Sequence, residues 1–182
     1  MAVLTAAREV LVDEGWEGVT VARVAERSGY ARTTLYRHWP QRLDLLRDLI
    51  RAEASVAHST PSGDLRADLA AELEAFRSAM TTAGLGRAMV AIGQHAREDA
   101  EVAELNRALR IEGARVLDDI IGDAVNAGLL RRDAGDGAAV AMLVGPVLFR
   151  YLFEPDGLTS AFVDDVVDRF IDAFTTGVGG RR

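Results

Sequence analysis

The chain has 182 residues, enough to bury one sizeable core or one large and one small core, and its balance of 49% hydrophobic to 27% charged residues excludes a disordered chain. With no cysteine it has no disulfide framework, no thiolate metal site and no cysteine nucleophile, and a formal charge of −7 excludes a uniformly basic protein. No apolar run reaches the ~18 residues of a membrane span, and no basic stretch followed by an apolar one opens the chain, so the expectation is a soluble, cytoplasmic protein.

Val3 to Glu14 is the first predicted helix, with Leu4, Ala7 and Leu11 on one face. Gly15 and Gly18 break it around Trp16, a plug for a small core. Thr20 is placed to cap the second helix, whose apolar positions Val21, Val24 and Ala25 share a face up to Ser28. Gly29 stands where a helix C-terminus needs a residue free to take positive φ. The third helix, Ala31 to Trp39, puts Leu35 and Trp39 on one side and Arg32, Thr33, Thr34, Tyr36, Arg37 and His38 on the others. Pro40 ends it. A fourth helix opens at Gln41 or Arg42 and runs through Leu45, Leu46, Leu49 and Ile50 to about Ala54.

His58 to Gly63, reading HSTPSG, is the clearest loop, and a domain boundary is expected beside it, giving domains of residues 1–54 and 55–182. Asp64 caps a fifth helix to about Met80. Gly84 to about Ala96 is the sixth. The longest periodic run, Val102 to Ala127, stops at Asn126 and Gly128. Asp136 is expected to open an apolar helix over Gly137 to Phe153, with Pro146 inside it kinking it or opening one backbone bond. Glu154 to Gly157 is a turn. A last helix starts at Thr159 or Ser160, with Phe162, Val166, Phe170 and Phe174 spaced by four. No alternating strand pattern occurs, so the fold class is all-α with about nine helices.

Charge is unevenly distributed. From Thr20 to Arg42 there are five arginines against the single acid Glu26, whereas from Val56 onward there are 13 arginines and 20 acids. Local charge governs groove contact, because fields are screened beyond a Debye length of ~8 Å at physiological salt. All 21 basic residues are arginine, which reads as a base-composition bias of the source genome. A short helix apolar on one side and lined with Arg, Thr and Tyr on the other suits a major groove walled by phosphates.

The combination of Ala7 to Gly15, Val19-Thr20-Val21, Ala25-Glu26-Arg27-Ser28-Gly29, Thr34-Leu35-Tyr36-Arg37-His38-Trp39 and Leu45-Leu46 resembles the DNA-binding domain of the TetR/AcrR family of bacterial transcriptional regulators. The resemblance covers about the first fifty residues; the remainder is similar in length, helical pattern and the look of its last two helices. It implies an N-terminal three-helix helix-turn-helix domain followed by a C-terminal helical domain for ligand binding and dimerisation. By this resemblance bases are read from Arg32, Thr33 and Thr34. Tyr36 and His38 match phosphate-contacting or cap positions, and Arg42 stands where the family usually has lysine. Thr20 and Arg37 complete the expected DNA-contacting set. Arg32 suits a bidentate contact to guanine, and Arg42 a fork onto one phosphate. Two departures stand out. Ala31 replaces the serine often found at the start of the recognition helix, so one cap bond worth ~1 kcal/mol is absent. The chain also begins almost at helix one, where many relatives carry a basic arm that enters the minor groove.

The second half offers weaker signals. His95, near Gln94 and Glu98, has the spacing of a metal ligand or polar-effector contact, or of a histidine at a helix end meeting water. Phe76, Met80, Met89, Met142 and Phe149 are suited equally to lining a cavity and to filling core, and Asn106 and Arg110 are candidate polar contacts. The resemblance puts the pocket among helices four to eight. The last two helices are too apolar to be covered on one side only, so Leu143, Val147, Leu148, Tyr151, Phe162, Val166, Phe170 and Phe174 are the expected dimer interface. Arg150 and Glu154 are a pair or rim charges.

The resulting expectation is a homodimeric, ligand-responsive DNA-binding regulator, in this family most often a repressor, on a near-palindromic operator. The two recognition helices would enter major grooves ~34–36 Å apart. A small-molecule effector would tilt helix four and change that spacing through its differential affinity for the two states. The alternative is a small-molecule-sequestering protein whose DNA-reading head is silent. An enzyme is not expected, because His95, Glu98 and Asp99 lack a nucleophile. No cofactor, metal or membrane partner is expected.

Overall fold

The computed structural model describes residues 2–54, 58–82, 84–135 and 137–175. Among them lie nine α-helices: α1 Ala2–Gly18, α2 Val21–Ser28, α3 Arg32–His38, α4 Arg42–Ala54, α5 Leu65–Thr82, α6 Leu85–His95, α7 Ala100–Asn126, α8 Ala139–Phe153 and α9 Ser160–Phe174. The nearest approach to a strand among these residues is an isolated antiparallel bridge between Leu130 and Thr175. The all-α expectation holds.

The chain divides into two units, Met1–Val56 with Ala79–Glu112 and Ala57–Ser78 with Gly113–Arg182. The sequence reading puts a boundary at residues 54 and 55, next to residues outside those described. The first unit nonetheless takes in α6 and the first part of α7. The physical reason is packing: α6 lies against both α1 and α4, and its buried Leu85, Ala88 and Ile92 cover apolar faces that three short helices cannot cover for themselves.

In the first unit, α1 reaches Gly18 rather than Glu14, but its helical geometry is interrupted at Gly15, with φ 74° and ψ −172°. That conformation is open to glycine, and it turns Trp16 inward to near-complete burial. Val10, Val19, Val24, Leu35, Leu45, Leu46 and Leu49 are buried beside it.

In the second unit, one apolar cluster joins Leu69 and Leu73 of α5, Leu117, Ile120, Ile121 and Ala124 of α7, Leu143 and Val147 of α8, and Val163, Val166, Val167 and Phe170 of α9. The α8 helix begins at Ala139, later than expected, with no side-chain cap at Ala138; Asp136 lies outside the described residues. A 3₁₀ turn at Arg132–Gly135, not foreseen in the sequence, precedes it and buries Ala134. Pro146 sits inside α8, which continues through it to Phe153. Lacking an N–H, it leaves the Met142 carbonyl without its i+4 donor. The turn after α8 is a 3₁₀ turn at Pro155–Gly157, and Thr159 caps α9 by accepting from Phe162 N at 3.2 Å.

The loop predicted at HSTPSG is held down rather than free. Asp68 accepts from Ser62 N and Oγ, both at 2.7 Å, and from Gly63 N at 2.8 Å. One turn along α5, Glu72 accepts from Ser59 N at 2.6 Å and Ser59 Oγ at 2.9 Å, with His58 Nδ1 at 2.6 Å. Both carboxylates are buried, and both are fully hydrogen-bonded, as buried charge requires.

Candidate nucleic-acid interface

The helix-turn-helix is built as its residues dictate. Thr20 Oγ1 accepts from Arg23 N at 3.1 Å and so closes the open N-terminus of α2. Val21, Val24 and Ala25 are buried. Gly29 ends the helix at φ 73°, a left-handed conformation that side chains disfavour. Ala31 has no cap bond, as its methyl predicts, and α3 starts on the Ala31 carbonyl, which accepts from Thr34 N at 3.0 Å and Leu35 N at 3.3 Å. Leu35 is buried.

With Leu35 turned inward, α3 presents Arg32, Thr33, Tyr36, Arg37 and His38 to solvent, and Thr34 half-buried beside them. Tyr36 is 49% exposed. Trp39, on the same side as Leu35, is half-buried; its indole Nε1 donates to Asp48 Oδ2 at 2.9 Å and so ties the end of α3 to α4.

The five arginines do not act alike. Arg23 donates from Nε to both Glu14 oxygens, at 2.9 and 3.0 Å, and from Nη1 to Glu26 at 2.9 Å. Arg27 donates to Asp13 at 2.9 Å and to Glu14 at 3.3 Å. The hydrogen bond from Arg23 holds the Glu14 carboxyl below its usual range and holds the Arg23 guanidinium above its own. These two cations are therefore neutralised by α1. Arg32 and Arg37 form no ion pair among the described residues, and they supply the open positive charge of the surface.

Arg42 corrects the sequence reading. Its Nε donates to the Val19 carbonyl at 2.8 Å and its Nη2 to the Trp16 carbonyl. Its guanidinium lies 5.1 Å from the Trp16 ring centre, and Glu17 stands 3.7 Å from Nη1. The fork expected to hold a phosphate is instead engaged by two backbone carbonyls at the α1–α2 junction.

His95 also belongs to this unit. Its ring stacks on Trp16 with centres 5.0 Å apart. Its Nδ1 donates to the Ala91 carbonyl at 2.9 Å, and its Nε2 lies 3.1 Å from Glu17 Oε1. Trp16, Glu17, Gln41, Arg42, Leu43, His95, Asp99, Glu101 and Val102 line a cleft of about 350 Å³. Asp99, suspected beside His95, caps α7 by accepting from Glu101 N at 2.8 Å and Val102 N at 3.2 Å.

The other ligand candidates scatter. Met80 is buried, Met89 and Asn106 are half-buried and Arg110 is exposed, all in the first unit. Phe76 packs against the apolar cluster of the second unit. Met142 and Phe149, offered for the pocket, are 46% and 54% exposed on α8. The expected dimer residues also divide. Leu143, Val147, Val166 and Phe170 are buried in the second unit's own core and present no surface to a second copy. Tyr151, Phe162 and Phe174 are half-buried against the same cluster, and Leu148 is half-buried on α8. Arg150 covers the Phe162 ring at 4.0 Å and stands 3.8 Å from Glu154. The large apolar side chains that α8 leaves in water are Met142, Phe149, Leu152 and Phe153. Periodicity marked α8 as two-sided but did not say which stripe the unit itself would use. Tyr30, in the turn before α3, is 51% exposed, and no motif position in the sequence draws attention to it.

The family model described as bacterial regulatory proteins, tetR family, matches residues 3–49, and that described as tetracyclin repressor-like, C-terminal domain, matches residues 60–170. The uncharacterized HTH-type transcriptional regulator YdeS of Bacillus subtilis (strain 168) is 23% identical over 170 residues, 91% of this chain and 84% of YdeS. The tetracycline repressor protein class C of Escherichia coli is 42% identical over 65 residues, 35% of this chain and 30% of that protein. The solved structure of the TetR family transcription regulator SCO0332 is similar with a TM-score of 0.75 and 32% identity, over 93% of this chain and 94% of that one. With both halves matched and the helix-turn-helix formed as described, the chain belongs to the TetR family of transcriptional regulators and carries that family's helix-turn-helix DNA-binding domain.

Proposed function

We propose that the protein is a homodimeric repressor that binds a near-palindromic operator in the cytoplasm and releases it when a small molecule binds. The observation that carries the DNA-reading part is the face of α3. Arg32, Thr33, Tyr36, Arg37 and His38 are exposed together while Leu35 anchors the helix from behind, and the two arginines on that face are free of ion pairs among the described residues. Arg32, Thr33 and Thr34 read base edges; Tyr36, Arg37 and His38 hold phosphates; Thr20 flanks them at the start of α2.

Dimerisation is supported by α8. A helix whose opposite stripe is already buried keeps Met142, Phe149, Leu152 and Phe153 in water, with the Phe149 and Phe153 rings 5.1 Å apart. A second copy related by a two-fold axis would bury that stripe against itself. Ligand responsiveness and the sign of regulation rest on family membership.

Gel-shift titration on DNA from upstream of the protein's own gene tests the reading. Wild type is expected to shift a discrete fragment, and Arg32→Ala and Tyr36→Phe to weaken that shift. Equal binding by all three proteins would remove the assignment to α3. A selection from random DNA that enriched no sequence would favour a silent head and a sequestering role.

A further inference from the structure

The turn between α2 and α3 carries an aromatic side chain that the fold does not use. Tyr30 lies between Gly29, at φ 73°, and Ala31, the residue that caps α3. It is 51% exposed, and among the described residues it forms no side-chain hydrogen bond, ring stacking or cation–π contact. Two other aromatic rings of this unit have such work: Trp16 is buried with His95 stacked on it and Arg42 beside it, and Trp39 donates to Asp48.

Tyr30 stands one residue before the cap of α3, at the end of the recognition helix from which base edges are reached. In the major groove a base pair offers donors and acceptors, which suit Arg32 and Thr33, and a single apolar group, the 5-methyl of thymine. A guanidinium gains little from that methyl, whereas an aromatic ring edge gains by removing it and itself from water.

We infer that Tyr30 is a specificity-determining residue that packs its ring against a thymine 5-methyl in each half-site. This rests on the reading of the head as a sequence-specific DNA binder. Its exposure makes the substitution safe for the fold, so Tyr30→Ala is expected to keep the wild-type thermal midpoint.

The test is selection of operators from random DNA by the full-length chain, followed by affinity measurements on the selected site. Wild type should prefer thymine at one position per half-site. Tyr30→Ala should lose that preference and leave the other positions unchanged, while Tyr30→Phe should retain it. Replacing that thymine by deoxyuridine in one half-site removes only the methyl; it should weaken wild type about 3- to 5-fold, the worth of one buried methyl, and leave Tyr30→Ala unaffected. The inference is overturned if Tyr30→Ala selects the wild-type site, or if deoxyuridine changes nothing. It is also overturned if Tyr30→Phe loses as much as Tyr30→Ala, which would assign the hydroxyl to a phosphate. If wild type selects no sequence and Arg32→Ala is equally inert, the DNA reading of the head fails with it.

Discussion

On α3 the residues left in water are Arg32, Thr33, Tyr36, Arg37 and His38; on α8 they are Met142, Phe149, Leu152 and Phe153. Each helix has a buried stripe, Leu35 in one case and Ala139, Leu143 and Val147 in the other. What differs is the chemistry of the unused face. The α3 face is stable in water and gains only when phosphates and base edges replace it. The α8 face is unfavourable in water from the start, so a partner gains by covering it whether or not DNA is present. The comparison teaches that the residues a unit does not consume identify its partner better than the residues that fill its core.

The largest expected effect breaks the α8 side. Phe153→Asp removes an apolar ring that is 69% exposed. At a two-fold interface the change counts twice, so at roughly 1.5–3 kcal/mol per ring the dimer should weaken by roughly 3–6 kcal/mol. Sedimentation equilibrium should show a monomer with unchanged helicity; an undisturbed dimer would mean that α8 pairs through another stripe or not at all.

Arg32→Ala comes next and sharpens the α3 side. Loss of a bidentate base contact should weaken the selected operator by about 1–3 kcal/mol per half-site and relax one base position in each. Arg37→Ala should weaken all sequences alike and lower the salt slope by about one per half-site, about two for the dimer.

Arg42→Ala separates the readings of that residue. Because Arg42 is bound to the Trp16 and Val19 carbonyls, its loss should destabilise the protein by about 1–3 kcal/mol in chemical denaturation and leave the salt slope of DNA binding unchanged. A slope lower by about one per half-site would return it to the DNA-contacting set. Arg23→Ala and Arg27→Ala, already paired with acids of α1, should also leave the slope unchanged and alter stability little, as exposed ion pairs do.

The smallest effect concerns acid. Hydrogen bonds from Ser62 and Gly63 hold the Asp68 carboxyl below its ordinary value of 3.8. A carboxyl lowered in the folded state adds stability that is fully present above its unfolded value and is lost as pH falls from there towards the folded one. Thermal midpoints of wild type should therefore fall below about pH 4, and Asp68→Asn should be less stable near neutrality with a shallower fall. Parallel curves would leave the loss to other lowered carboxyls such as Glu14 and Asp168.

The head was largely legible in the sequence because its signals are local. Thr20 caps, Gly29 turns and Leu35 anchors within a few residues of where they act, and the structure places each where spacing puts it. The intramolecular contacts of Arg42 are not legible in the sequence because its partners, Trp16 and Val19, are 26 and 23 residues away, and a side chain that faces a groove in the family pattern can equally face a carbonyl. The α8 stripe was misassigned for a related reason. Periodicity groups Leu143 with Val147 and Phe149 with Phe153, but which stripe the unit buries depends on α5, α7 and α9, which lie far off in the chain. The inclusion of residues 79–112 in the first unit has the same origin.

The paired carboxylates of α5 have a practical consequence. By composition, HSTPSG is where a protease would be expected to nick the chain. Cleavage requires a segment to enter an enzyme's active site in extended form, but here the N–H groups of Ser59, Ser62 and Gly63 are held by Glu72 and Asp68, and releasing them would strand two buried charges. Limited digestion should pass over this segment, and attempts to separate the two ends of the chain by cutting here would leave a first fragment lacking α6, the helix that completes its core.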